Sequence, residues 1–289
     1  MSQGSKVQTK RAHQTFDKLR FRDTNALKAI DTASLFTFLD TGRDELTLVD
    51  HTLLNPGCDL VVASVNLTCK IPLSWPGTVE IMTSVTRIGS SSITFHQALF
   101  QNQVSCAEAI STLVQIDQRT RKPHPLAASS KIRLSNYYRE DESMTCKKNS
   151  RPNTYRTRSM ALFPHQTHDK IRFEDTDALG HVNNATFSTF FETGRVSLLQ
   201  PDENCYDVVS QMHLNFIAEI NWPGNVEIGT GVTHIDKNTY RLYQAVFQDG
   251  ICVADSETLM VRINKQTQAP QPLSTENKTQ LQEYWLDQI

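Results

Sequence analysis

The 289-residue chain has no long apolar run: stretches such as Leu60 to Ala63 are among its longest, far short of the roughly 20 residues that a spanning helix needs. No membrane span is therefore expected. It also lacks a basic excess. A formal net charge of −2 argues against nucleic acid as the main partner, because phosphate backbones recruit basic faces. Cysteine is sparse and unordered. Cys58, Cys69, Cys106, Cys146, Cys205 and Cys252 are scattered, and no pair has metal-ligand spacing. The histidines are equally dispersed, so neither a metal nor another cofactor is expected. The polar segment Met1 to Thr15 carries no apolar stretch of the signal-peptide kind. It reads as a tail of a cytoplasmic protein whose thiols stay reduced.

What the chain does have is a repeat. Asp17 to Arg43 reads DKLRFRDTNALKAIDTASLFTFLDTGR, and Asp169 to Arg195 reads DKIRFEDTDALGHVNNATFSTFFETGR. About half of these positions are identical, without a gap. The block Trp75-Pro76-Gly77-Thr78-Val79-Glu80-Ile81 returns at Trp222 to Ile228, and the register holds on to Pro125-Leu126 and Pro272-Leu273. The one change in length follows the first block, where the first copy is five residues longer. Internal similarity of this extent means two copies of one fold. The division expected is a tail over 1–15, a first copy over 16–126, a polar Lys- and Arg-rich linker over 127–167, a second copy over 168–273, and a terminal helix or tail over 274–289. The linker cations, from Lys131 to Arg158, read as a solvated surface rather than as a phosphate site.

Each copy opens with a short strand (Lys18 to Arg22; Lys170 to Glu174) and a turn. A helix follows, about Ala33 to Leu48 and Ala185 to Leu199. In the second copy Phe187, Phe190, Phe191 and Leu198 cover a wide face of it, which predicts burial. Four strand-like runs complete the copy, in the second near Val208–Ile220, Val226–Ile235, Thr239–Phe247 and Ile251–Ile263. One long helix with an antiparallel sheet is an α+β arrangement in which the sheet covers the helix. Gly42 and Gly194 fall inside these helices, each within Thr-Gly-Arg. Since Gly costs roughly 1 kcal/mol against Ala there, close packing of helix on sheet is the expected reason.

The loop before the second helix runs Asp175-Thr176-Asp177-Ala178-Leu179-Gly180-His181-Val182-Asn183-Asn184. It places carboxylates and an imidazole beside a helix N-terminus, where unpaired N–H groups carry partial positive charge. A thioester carbonyl there would find donors for the oxygen that becomes negative during acyl transfer. A carboxylate nearby can activate water or attack the carbonyl itself. The plainer alternative is structural: Asn183 or Asn184 caps the helix, and Asp175 and Asp177 bond within their own turn. Glu192, matched by Asp40 in the first copy, reads as a structural partner of Arg195.

These residues, from Arg172 through the His181-Val182-Asn183-Asn184 stretch to Glu192 and Arg195, resemble the 4-hydroxybenzoyl-CoA thioesterase branch of the hotdog superfamily. Plant acyl-ACP thioesterases carry a similar Asp…His-Val-Asn-Asn stretch. The resemblance implies tandem hotdog folds, each an antiparallel sheet wrapped around a long helix, that form an intramolecular pseudo-dimer. By it Asp177 takes the place of the catalytic carboxylate, the backbone N–H near Asn184 that of the oxyanion donor, and His181 that of a catalytic histidine. Gly180, Val182, Asn183 and Phe187 are then the expected substrate-binding residues. Leu179 departs from the plant pattern, which favours acyl-CoA over acyl-ACP as substrate.

The first copy has Asn25 in place of Asp177, Lys28 of Gly180, Ala29 of His181, Asp31 of Asn183 and Thr32 of Asn184. An amide has no basicity to activate water, so this copy is expected to have lost catalysis and to serve as partner at the seam. A hotdog hydratase, or a non-catalytic acyl-thioester binder, remains as an alternative. Whether the pseudo-dimer associates further is left open.

Overall fold

The computed structural model describes residues 12–25, 29–49, 53–140, 159–178, 180–199 and 202–287. The first copy contributes β1 (His13–Leu19), α1 (Thr32–Val49), β2 (Cys58–Cys69), β3 (Gly77–Ile88), β4 (Ser92–Gln101) and β5 (Val104–Asp117). The second repeats this order as β6 (His165–Ile171), α3 (Asn184–Arg195), β7 (Cys205–Phe216), β8 (Gly224–Ile235), β9 (Thr239–Gln248) and β10 (Ile251–Asn264). Between and after them lie α2 (Ala128–Leu134) and α4 (Thr275–Glu283).

All ten strands form one sheet in the order β1-β3-β4-β5-β2-β7-β10-β9-β8-β6. The two copies are the two halves of this palindrome. They join where β2 pairs antiparallel with β7, from Ser64 opposite Asn215 to Thr68 opposite Gln211. Asn66 faces His213 at the middle of that ladder. These two are equivalent positions of the repeat, so a pseudo-twofold axis passes between them. The expected α+β tandem hotdog architecture is what the chain forms.

Local chemistry explains the elements. The β4–β5 and β9–β10 hairpins turn on Asn102-Gln103 and Asp249-Gly250, with positive φ at all four residues, the backbone that tight hairpins require. α1 packs on β1, β3 and β4, α3 packs on β6, β8 and β9, and the two helices touch each other. Phe36 and Leu39 of α1 and Phe190 and Phe191 of α3 are fully buried, each contributing roughly 1.5–3 kcal/mol through burial. The helices approach the sheet closely at the two glycines. A Cβ on Gly42 would lie 2.6 Å from Ile81 Cγ2, and one on Gly194 would lie 2.7 Å from Ile228 Cγ2.

Three local expectations are corrected. The opening strand of each copy lies earlier than the apolar pattern suggested: His13–Leu19 and His165–Ile171, with a single 3₁₀ turn at Phe21–Asp23 and Phe173–Asp175. The tail therefore ends before His13, because His13, Gln14 and Thr15 already pair with β3. The expected linker is not structureless at its ends. It begins with α2, whose Ser130 and Leu134 are buried, and β6 starts at His165 within its last residues. These strands are too polar to show as apolar runs, since their outer faces meet solvent. Most of the tail and the linker centre, including Cys146, Lys147, Lys148, Arg151, Arg156 and Arg158, lie outside the described residues.

Candidate active site

The loop from Asp175 to Asn184 folds as a tight turn locked by its own backbone. The Asp177 N–H donates to the His181 carbonyl at 2.9 Å, the Gly180 N–H to the Asp177 carbonyl at 3.0 Å, and the Asn183 N–H to the Asp175 carbonyl at 2.8 Å. Gly180 has φ +83°, a conformation that favours glycine over residues with a Cβ. The Val182 N–H donates to Ile220 and His181 bridges to Asn221, which fastens the loop to the segment after β7. Asn183 is the N-cap of α3, its side-chain oxygen accepting from the Ala185 N–H at 2.8 Å. Asn184 opens the helix, where N–H groups have no partner within the helix.

This geometry sorts the expected site residues. Asp177, half-buried, and His181 stand on the turn, and the Asn184 amide lies at the helix start beside it. Asn183 uses its side chain on the cap rather than on a ligand. Val182 is a buried rivet of the loop. Phe187 is 2 % exposed and packs edge-on against Phe190 and Phe216, so it belongs to the core beneath the site. Leu179 lies outside the described residues. Asp175 accepts from the Arg172 N–H at 2.6 Å and closes the preceding turn.

The turn faces the other copy. Burial raises the carboxyls of Asp40 and Asp44 on α1, Arg43 lowers both, and the Asp177 carboxylate adds a smaller upward push to each, so the three carboxylates share one electrostatic environment. Asp40 is pushed up to about 6, by burial first, against the opposing pull of Arg43. Burial likewise raises Asp44.

Three further residues, not anticipated from the sequence, complete the charge arrangement. His181 Nε2 lies 3.2 Å from Glu219 Oε2. The other oxygen of Glu219 is ion-paired with Arg121, which follows β5 of the first copy and also lies 3.3 Å from Asp59 Oδ2. A chain of polar contacts thus runs Asp59, Arg121, Glu219, His181 across the seam. The signal was present in the repeat. Counted through it, His181, Glu219, Asp59 and Arg121 stand opposite Ala29, Pro72, Tyr206 and Gln268. No carboxylate, imidazole or guanidinium stands at any of these four positions on the other side.

The first copy keeps the same turn without the chemistry. Its Asn25 N–H donates to the Ala29 carbonyl at 2.9 Å and its Asp31 N–H to the Asp23 carbonyl at 3.0 Å. Asp31 caps α1 through the Ser34 N–H at 2.6 Å, and burial raises its carboxyl. The expected Glu192–Arg195 pairing takes a different form. The groups influence each other electrostatically, but no hydrogen bond joins them among the described residues. In the first copy the matching Asp40 and Arg43 do bond. No cluster suited to a metal ion occurs among the described residues, and no helix described is long and apolar enough to cross a membrane.

Comparison with known proteins adds to this geometry. The family model of the Thioesterase-like superfamily matches residues 19–134 and 171–281. No curated protein matches the chain. Among solved structures, one described as an oleoyl thioesterase from Lactobacillus plantarum superposes with a TM-score of 0.72 at 11% identity, over 88% of this chain and 97% of that one. The 12:0-ACP thioesterase from Umbellularia californica does so with a TM-score of 0.69 at 13% identity, over 88% and 97%. An acyl-ACP thioesterase from Bacteroides thetaiotaomicron gives 0.67 at 14% identity, over 86% and 97%. At such identities the likeness is one of fold.

Proposed function

Because the chain belongs to the thioesterase-like superfamily, we propose that it hydrolyses an acyl thioester, an acyl-CoA in preference to an acyl-carrier protein, at the side of the seam that holds Asp177. The observation that carries this reading is the placement of the Asp177–His181 turn directly before the N-terminus of α3, braced by Glu219 and Arg121. The other seam has the same backbone turn and none of those side chains.

The reaction follows from the parts. A thioester carbonyl seated against the first turn of α3 directs its oxygen at the Asn184 N–H. As water attacks the carbonyl carbon, that N–H and the positive end of the helix stabilise the developing oxyanion. Asp177 takes the proton from the attacking water. In the covalent variant its carboxylate attacks first, and water then cleaves the resulting anhydride. Collapse of the tetrahedral intermediate breaks the C–S bond, and the thiolate leaves to be protonated as the free thiol. His181 lies beside this event. A carboxylate 3.2 Å from its Nε2 orients the ring. His181 is then suited to orient water or to pass the proton on to the departing sulfur.

The test is thiol release from short, long and aromatic acyl-CoAs by the wild type beside Asp177→Asn. Release by the wild type, reduced by about 10²-fold or more in the folded variant, supports the reading, and the panel ranks the acyl groups. Release that survives in Asp177→Asn removes Asp177 from the mechanism. Thioester binding with no turnover by the wild type would favour a non-catalytic acyl-thioester binder.

A further inference from the structure

The seam opposite Asp177 is hollow. A cavity of about 640 Å³ opens there, and among its lining residues are Ala29, Pro72, Tyr206 and Gln268, the four that stand where the other side has His181, Glu219, Asp59 and Arg121. Small or neutral side chains have replaced a crowded charged chain and left space. The walls combine apolar residues of both copies, Ile30, Leu35 and Leu73 from the first and Val209 and Met260 from the second, with a few charges.

Those charges are nearly all accounted for. Arg262 binds Asp207 at 2.9 Å and also Asp202. Lys265 donates to the Asp202 carbonyl at 2.6 Å, and Lys70 pairs with Glu108. Arg195 is the exception. Its side chain lines the cavity, is only 7 % exposed, and makes no hydrogen bond or ion pair among the described residues. The repeat supplies the control. Arg43, at the same place in the first copy, donates from Nη1 to Gln97 Oε1 and Ser111 Oγ, both at 2.9 Å, and from Nη2 to Asp40. In the second copy Gln244 still holds the helix as Gln97 does, donating to Phe191 and Thr230. Yet Gln244 Oε1 and Arg195 Nη1 are both left without a partner. Ser111 has become Thr258, whose hydroxyl pairs with Ser256 instead. Burying a guanidinium without hydrogen-bond partners is unfavourable, and an anion in the cavity would offset that cost.

We propose that this cavity binds an amphiphilic monocarboxylate of the fatty-acid class, with its carboxylate on Arg195 and its apolar tail between Leu35, Leu73, Val209 and Met260. Arg195 is the one lining cation without a hydrogen bond or ion pair among the described residues, which suits a ligand with one anionic group. A polyphosphate such as that of coenzyme A would call for several, and the other cations here are engaged. The planar guanidinium fork suits a carboxylate. Glu192 faces the same space; burial raises its carboxyl and Arg195 lowers it. The site goes beyond the hydrolytic reading and does not depend on it, since none of its residues belongs to the Asp177 turn.

The probe is dodecanoate, with dodecan-1-ol as its uncharged counterpart, followed by equilibrium dialysis on the full chain. Wild type and Asp177→Asn are expected to bind dodecanoate saturably and alike. Arg195→Gln is expected to weaken it at least tenfold, and dodecanol to bind at least tenfold more weakly than dodecanoate. Leu199→Trp, which places a ring at the cavity wall, provides a second variant should Arg195→Gln not fold, and is expected to weaken binding to a similar degree. Dodecanoate binding that is unchanged in both cavity variants, or that disappears in Asp177→Asn, overturns the proposal by moving the acid elsewhere. Equal binding of the alcohol overturns the role of Arg195, and absence of binding by the wild type overturns the site. Thiol release by the same samples reports separately on the hydrolytic reading.

Discussion

Arg121 of the first copy is ion-paired with Glu219 of the second, and through Glu219 it reaches His181. The copy that has lost its own Asp and His therefore still contributes to the remaining site. It supplies the cation that holds the carboxylate that holds the imidazole. The degenerate half is in this sense part of the candidate active site and not only its support.

Removing that cation tests the link. Arg121→Ala leaves every residue of the Asp177 turn in place but frees Glu219 to move. The expected result is a loss in kcat/KM of roughly tenfold, equivalent to about 1.4 kcal/mol. Arg121→Lys is expected to restore part of it. An unchanged kcat/KM in Arg121→Ala would show that the bridge does not act on the site.

Restoring the lost residues should not restore the lost site. Asn25→Asp with Ala29→His rebuilds the turn of the first copy, but Pro72 stands where Glu219 would brace the histidine. In an Asp177→Asn background, the double replacement is expected to leave thiol release at the level of Asp177→Asn alone. Recovery of release would show that the bracing carboxylate is dispensable.

Packing at the helix glycines makes a stability prediction. In Gly194→Ala the added methyl would meet Ile228 Cγ2 at 2.7 Å and Thr230 Oγ1 at 2.8 Å, both buried residues of β8. Overpacking of this kind costs about 1–3 kcal/mol and exceeds the roughly 1 kcal/mol that alanine contributes to a helix. A lowered denaturation midpoint with an unchanged m-value is expected. A rise in the midpoint would contradict the close approach.

The N-cap gives a second one. Asn183→Ala removes the acceptor for the Ala185 N–H and should cost about 0.5–2 kcal/mol. Because the proposed reaction takes its oxyanion donors from the first turn of α3, kcat is expected to fall more than KM rises. Asn183→Asp or Asn183→Ser should recover most of both.

Asp40 provides a pH signature. Its folded-state value is about 6, raised by burial from an ordinary 3.8. Between those values the folded protein binds the proton that the unfolded chain has released, so stability contributed by the neutral form is present at about pH 4 and lost as pH rises through 6. Relative to wild type, Asp40→Asn should gain stability over that window. Thermal unfolding of both proteins from pH 4 to 7 checks it, and a difference that stays constant across the range would place the titration elsewhere.

Much of this was legible in the residues. The ungapped repeat established two copies, and the glycine of each Thr-Gly-Arg marked a close helix–sheet contact. The Asp177-to-Asn184 stretch announced a polar turn at a helix start. These features depend on neighbours in sequence, and local backbone preferences suffice to read them. Phe187 illustrates the limit: the resemblance implied a substrate contact, and only the fold shows its ring buried against Phe216.

The chain by itself determined that there are two hotdogs and which one keeps the Asp and His. Only the tertiary structure decided what surrounds them. Pairing of β2 with β7 about the Asn66–His213 position brings Arg121 and Glu219 together, and on the opposite side of the axis it leaves Arg195 lining a cavity. Those contacts join residues separated by about a hundred positions or by a copy boundary. They depend on strand register and helix placement, which no local pattern in the sequence encodes.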